Sequence, residues 1–145
     1  MTTIDGPLYH ATPIPVYVGE DFVLQIAVRD GTPTSSARYG ALVSVAAATK
    51  KGVLTVYQPD GTTTITRDTS VSGEGEKADD DSDATNDSYR FLVAAAVTAL
   101  WTAGTQRAWH VEHQDSSTTP TTARLIAYGT LDIRSKPGTS GAVIP

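Results

Sequence analysis

The sequence contains no cysteine, few basic residues and no long apolar run. The absence of cysteine excludes disulfide frameworks and thiolate metal sites. Eleven lysines and arginines against sixteen acids give a net charge of −5, and no basic cluster is present to follow a nucleic-acid backbone. No apolar stretch approaches the ~20 residues that cross a bilayer, and residues 1–9 lack the basic and apolar parts of a signal peptide. We therefore expect a protein made in the cytoplasm, with neither nucleic-acid nor membrane partners.

Catalytic signals are missing as well. The three histidines are His10, His110 and His113, and the last two flank a predicted strand. Because they are three residues apart, their side chains point to opposite faces and cannot share a metal ion directly. No nucleophile elbow, phosphate-binding glycine loop or metalloprotease helix is present. We expect no enzyme, no cofactor and no metal.

Threonine, alanine and valine are abundant, and this composition favours strands over helices. A length of 145 residues fits one domain. Alternating apolar residues and short apolar runs predict about seven strands, at 22–29, 41–48, 53–57, 62–67, 89–93, 107–113 and 124–133. Seven short strands separated by turn signals predict an all-β antiparallel sandwich of two sheets.

Several local features add detail to this architecture. Residues 50–52 (KKG) predict a turn, and residues 59–61 (PDG) predict the turn of a hairpin. Residues 94–103 predict one short helical turn, anchored by Leu100 and Trp101. Gly129, inside the last strand, indicates a bulge or a close backbone contact. Alternation predicts a core that includes Phe22, Leu24, Ile26, Trp109, Val111, Leu125 and Leu131.

Residues 1–18 contain three prolines, and this segment is predicted to be an extended arm outside the sandwich. A disordered tail is the alternative. The segment holds more apolar residues than linkers usually do. We therefore predict that it binds a neighbouring subunit through Leu8, Tyr9, Ile14, Val16 and Tyr17.

Two further segments lie outside the predicted sheets. Residues 73–88 form an acidic loop with nothing to bury, and residues 135–145 form a flexible tail. Asp79, Asp81 and Asp83 alternate, with Asn86 and Asp87 following, as in the first half of a calcium loop. The segment lacks the glycine at the sixth position and the glutamate at the twelfth. We expect a solvated loop here.

Trp101 and Trp109 have two interpretations. They could form an aromatic platform for a sugar or a base. One lies beside a turn and the other on an inward-facing strand position, so core packing is the preferred interpretation.

Residues 19–22 (GEDF) open the first strand, residues 100–105 (LWTAGT) precede an aromatic strand, and residues 125–133 (LIAYGTLDI) form the closing strand. In this order and spacing, the three motifs resemble those of a family of small Ig-like structural proteins of tailed phages and prophages. The resemblance covers residues 19–134 in outline. It implies an Ig-like sandwich, a place in the virion and no catalytic residues. The acidic loop and the long arm depart from the family pattern.

Three functional hypotheses follow, two from the resemblance and one from the tryptophans. The first is a capsid decoration or cement protein, present in many copies and bound to the capsid shell through its arm and a sheet face. The second is a tail, neck or baseplate adaptor that joins fibres to the virion. The third, from another class, is a carbohydrate-binding β-sandwich that uses Trp101 or Trp109. The expected partners of the first two are other virion proteins in a symmetric assembly.

Overall fold

A computed structural model describes residues 8–31, 35, 40–62, 64–79 and 82–137. These residues form a sandwich of two β-sheets with one short helix. The elements follow in chain order as β1 (Leu8–Tyr17), β2 (Phe22–Ala27), β3 (Lys50–Tyr57), β4 (Thr64–Asp68), β5 (Gly75–Ala78), β6 (Ser88–Val93), α1 (Ala95–Thr98), β7 (Gln106–Asp115) and β8 (Thr122–Arg134).

The strand order is that of an immunoglobulin-like sandwich. The larger sheet has the order β1-β8-β7-β3-β4 and the smaller one β2-β6-β5. Strands β3, β7 and β8 correspond to C, F and G of the immunoglobulin fold, and β2, β6 and β5 correspond to B, E and D. All described pairs are antiparallel except β1 with β8, which is parallel. The predicted all-β antiparallel sandwich is confirmed, and the described residues form eight strands where about seven were predicted.

The core lies between the two sheets and is built from alternate residues of the strands. The inward positions of β3 are Gly52, Leu54 and Val56. Trp109 and Val111 of β7 face the same interior. Six of the seven predicted core residues are buried or half-buried, namely Phe22, Leu24, Ile26, Trp109, Val111 and Leu131.

Leu125 is the exception, because a β-bulge changes the phase of β8. Val111 pairs with Ala127 and Glu112 pairs with Leu125, so Ile126 has no partner residue in β7. The extra residue turns Ile126 into the core and Leu125 out to solvent, where it is 40% exposed. The prediction that Leu125 shares the buried face of Ala127 is therefore wrong.

Gly129 marks a close backbone contact, as the sequence indicated. A Cβ atom at this position would lie 3.0 Å from the carbonyl oxygen of His10 in β1 and 3.0 Å from the ring of Trp109. Strand β8 can thus pass between the indole and the edge strand because residue 129 has no side chain. The bulge lies three residues earlier, at Ile126.

Two local predictions between β2 and β4 are wrong. Residues 41–48 do not form a strand: Leu42 makes an isolated bridge to Arg29, and Val45 is buried, but the alanines at 46–48 are exposed. Alanine is apolar but offers little area to bury, so an alanine run does not require a place in the core.

Lys50, Lys51 and Gly52 open β3 rather than form a turn. Gly52 is required because the Tyr89 ring lies 2.5 Å from the position of a Cβ.

The predicted separation of residues 1–18 from the sandwich is wrong for the described part. Leu8–Tyr17 is strand β1 and pairs with β8 along the edge of the larger sheet. Val16 is buried, and Ile14 packs against the core. The prolines at 13 and 15 are compatible with an edge strand, where one row of amides needs no partner. Residues 1–7 lie outside the described residues.

The acidic segment at 73–88 is more ordered than its composition indicated. Gly75–Ala78 is strand β5 and pairs with β6. Asp87 and Ser88 are buried, and the amide of Asp87 donates to the carbonyl of Ala78. The expectation that this whole segment buries nothing is therefore wrong. The predicted tail at 135–145 lies mostly outside the described residues.

The predicted helical turn is present as α1, with Trp101 anchored after it. The Trp101 ring is buried beneath the guanidinium of Arg107, 4.6 Å from the ring centroid. Leu100 is 83% exposed, so its predicted anchoring role is wrong. The hydroxyl of Thr98 donates to the carbonyl of Glu20 at 2.7 Å and ties α1 to the turn before β2.

Replacing Trp109 by alanine is expected to lower the free energy of unfolding by about 3–5 kcal/mol, because a large buried aromatic is lost. Leu100→Ala is the control, since an exposed side chain far from other features changes stability by less than about 0.5 kcal/mol. Urea denaturation measures both. A loss below ~1 kcal/mol for Trp109→Ala would place this side chain outside the core.

Gly52→Ala and Gly129→Ala are both expected to destabilise the fold, by about 1–3 kcal/mol or more. The added methyl at 52 meets the Tyr89 ring at 2.5 Å, and at 129 it meets a backbone oxygen that cannot rotate away. Gly61→Ala adds no contact and serves as a control for the backbone effect alone, since Gly61 has a φ of +76°. Thermal unfolding measures the melting temperatures of the three variants, and those of Gly52→Ala and Gly129→Ala are expected to be lower than that of Gly61→Ala. Equal melting temperatures for all three would contradict the role of close packing.

Candidate functional site

The five residues predicted to bind a partner are strand residues rather than members of a free arm. Pairing with β8 divides them between the two faces of the larger sheet. Val16 is 2% exposed and lies in the core, so it cannot contact a partner. Tyr9 is 53% exposed and lies on the outer face, opposite Tyr128. Ile14 and Tyr17 are half-buried, and Leu8 is placed by its backbone pairing with Ala127.

Four rings cross the outer face of the larger sheet as a row. Tyr9 of β1 and Tyr128 of β8 are cross-strand partners, with ring centroids 5.0 Å apart. Tyr128 pairs in turn with His110 of β7, whose ring lies 5.4 Å from that of Tyr57 in β3. Outward positions on four neighbouring strands thus bring together rings from distant parts of the sequence.

The row borders a shallow depression of about 490 Å³. Residues from three strands line it: Tyr57, Ala108, Trp109, His110, Glu112, Leu125, Tyr128 and Gly129. The β-bulge contributes directly, because it turns Leu125 outward beside Tyr128. We call Tyr9, Tyr57, His110, Glu112, Leu125 and Tyr128 the outer-face patch.

The outer-face patch concentrates the exposed apolar area of the described residues. Among these residues, six large apolar side chains are 39% exposed or more, and three of them (Tyr9, Leu125 and Tyr128) lie in the patch. Clustered exposed apolar side chains mark interaction surfaces, whereas single ones need no explanation. The geometry therefore favours binding at this face.

The charges around the patch differ in how they are paired. At one side Lys51 forms an ion pair of 2.8 Å with Asp68, and at the other Arg134 pairs with Asp132 at 2.9 Å. In the described part of the chain, the ion contact of Glu112 is with His110, at 3.9 Å, which exceeds hydrogen-bond distance. Glu112 thus carries the negative charge of the patch. Among the described residues, no lysine or arginine forms an ion pair with it.

The outer face of the smaller sheet is organised differently. Arg90 donates to the carboxylate of Glu76 at 2.7 Å and to the side-chain oxygen of Gln25 at 2.9 Å. Val23 is 54% exposed beside this polar network. No ring of the described residues lies on this face, so it offers a contrast for experiments on the patch.

His110 and His113 point to opposite faces of the larger sheet, as predicted. His110 faces outward, whereas His113 faces the smaller sheet and shares a hydrogen bond of 2.7 Å with the Tyr89 hydroxyl. Burial raises the pKa of Tyr89 and lowers the pKa of His113. His10 lies in β1, with its ring 6.5 Å from the Trp109 ring. The histidines do not converge, and the absence of enzymatic activity stays a prediction.

Three carboxylates of the acidic loop converge. Oxygens of Asp79, Asp83 and Asp87 lie within 4.8 Å of one another. Asp79 also accepts from the backbone amides of Asp83 and Ala84, at 3.3 and 2.6 Å, so the cluster orders the loop. Sequence spacing had grouped these residues with Asp81, which lies outside the described residues. That the loop holds no metal stays a prediction.

The aromatic platform, which was the alternative interpretation of Trp101 and Trp109, is not present. Trp101 is 5% exposed and Trp109 is 2% exposed, so neither ring face is available to a sugar or a base. Core packing is confirmed for both. Among the described residues, the exposed large aromatic rings are those of Tyr9 and Tyr128, and the sequence pattern does not connect them. Each lies at an outward strand position, but strand register was needed to bring them together.

Comparison with known proteins places this chain in no family. No family model matches it, and no curated protein matches it at a significant level. The helical content of the described residues is confined to the four residues of α1, far fewer than a membrane-spanning helix requires.

Lowering the pH from about 7.5 to about 5 is expected to reduce the free energy of unfolding through His113. Because burial lowers its folded-state pKa below 6.5, the unfolded chain takes up a proton in this window that the folded chain does not. Stability therefore falls as the pH drops below 6.5. Urea denaturation across this range should show a smaller pH dependence for His113→Gln. An unchanged dependence in that variant would assign the effect to other groups.

Proposed function

We propose that this chain is a non-enzymatic structural protein of a tailed-phage virion, which binds another virion protein through the outer-face patch. The observation that carries the binding function is the clustering of Tyr9, Leu125 and Tyr128 on one rigid sheet face. The placement in a virion is supported by the three sequence motifs at residues 19–22, 100–105 and 125–133. The Ig-like sandwich is compatible with it.

The patch has the composition of a protein-binding surface. Tyrosine combines a large apolar area with one polar group, and it is enriched among the residues that dominate binding energy. The rings stand on four hydrogen-bonded strands, so little conformational entropy is lost when a partner docks. Tyr9 belongs to the segment predicted as an arm, and Tyr128 belongs to a sheet face. The two attachment surfaces of the sequence hypothesis thus form one surface.

Within the virion we favour a capsid decoration protein, and the alternative is a tail, neck or baseplate adaptor. A decoration protein covers a shell built of many identical subunits, so it is present in many copies, whereas an adaptor is present in few. The ratio of this chain to the major capsid protein, measured by gel densitometry, separates the two.

The double substitution Tyr9→Ala with Tyr128→Ala is expected to reduce incorporation into virions by about tenfold or more, since truncating an interface anchor typically costs over ~1 kcal/mol. The matched control is Val23→Ala with Leu100→Ala, which removes two exposed apolar side chains elsewhere. Particles lacking the protein are incubated with each purified variant, sedimented and analysed by gel densitometry. Thermal unfolding confirms that both variants fold.

Incorporation of the patch variant at the wild-type level would contradict the proposed surface. Loss of incorporation in the control as well would show that attachment uses other faces. Failure of the wild-type protein itself to join particles would overturn the virion role.

A further inference from the structure

The carboxylate of Glu112 occupies a distinctive position in the outer-face patch. Glu112 lines the depression together with Tyr57, Tyr128 and Leu125, and its side chain is 35% exposed. At the ends of this face Lys51 is already ion-paired with Asp68, and Arg134 with Asp132. The depression therefore combines rings, an aliphatic side chain and one carboxylate.

The hydrogen bonding of His110 leaves this carboxylate accessible to another donor. The Tyr57 hydroxyl lies 3.2 Å from Nδ1 of His110, so a neutral ring that accepts there carries its proton on Nε2. Nε2 faces the Glu112 oxygen at 3.9 Å, too far for a hydrogen bond. His110 is thus held by Tyr57, and the Glu112 oxygens retain room for a closer partner.

We propose that the depression receives an arginine side chain presented by an extended segment of the partner protein. The guanidinium lies against the Glu112 carboxylate, and its aliphatic stem packs on Leu125 and the ring of Tyr128. This inference rests on the proposed function, because it names the chemistry of the partner at the same surface.

Arginine fits these groups better than the other cationic side chain. Its planar guanidinium stacks on aromatic rings and donates two parallel hydrogen bonds to one carboxylate. A lysine ammonium is compact and strongly hydrated, so it gains less from a shallow aromatic site. A sugar would need several hydrogen-bonding groups around it, but here the Tyr57 hydroxyl is engaged by His110. The Glu112 carboxylate, surrounded by aromatic rings, therefore favours a cationic ligand over a sugar.

The test titrates two peptides into the purified full-length chain and follows binding by NMR. One is a blocked Thr-Val-Arg-Val-Thr peptide, and the other carries citrulline, a neutral isostere, in place of arginine. The arginine peptide is expected to shift the resonances of Tyr57, His110, Leu125 and Tyr128 and to bind roughly fivefold or more tightly than the citrulline peptide. Glu112→Gln should abolish that preference. Glu76→Gln removes a carboxylate from the opposite sheet and should preserve it.

Several results would overturn the proposal. Equal binding of the two peptides would show apolar contact without recognition of the cation, and unchanged patch resonances with both would show no site. Shifts of the same resonances by xylo- or chito-oligosaccharides but not by the arginine peptide would identify a sugar site. These outcomes are separable from the virion role: incorporation can persist when the arginine preference fails, and the preference can hold when incorporation fails.

Discussion

The passage of Gly129 between the Trp109 ring and the His10 carbonyl connects the core to the surface. Trp109 belongs to the core and packs against Gly129 of β8. The carbonyl of His10, in β1, lies close to the other side of Gly129. A side chain at position 129 would push the Trp109 ring and strand β1 away from β8. Because β1 is held in register there, Tyr9 meets Tyr128 and the aromatic row continues across the sheet. Packing inside the sandwich thus determines which rings are neighbours outside it.

Much of the fold could be predicted from alternation and turn residues. The period-two patterns predict the ends of β2 and β7 to within a residue or two, and the predicted PDG turn lies between β3 and β4. The errors arose where composition and packing disagree. The alanine run at 46–48 is apolar without bulk, and Gly52 is a packing glycine rather than a turn glycine.

The candidate site could be predicted only in part, because it depends on register. Tyr9 is among the binding residues predicted from the sequence, but its neighbours Tyr57, His110 and Tyr128 are 48 or more residues away in the sequence. The bulge at Ile126 is not visible in the apolar pattern, since residues 125–127 are all apolar. That bulge decides whether Leu125 belongs to the core or to the surface. A local sequence pattern predicts neither the cross-strand neighbours of Tyr9 nor the position of the bulge.

The parallel pairing of β1 with β8 has a mechanical consequence. Leu8, at the start of β1, lies beside Ala127, whereas Arg134, at the end of β8, lies beside Tyr17. Tension applied through residues 8 and 134 pulls the two strands in opposite directions along their common axis. The hydrogen bonds between them are then loaded together in shear, rather than broken one after another as in a zipper. The edge pair is therefore oriented to resist being pulled apart end to end.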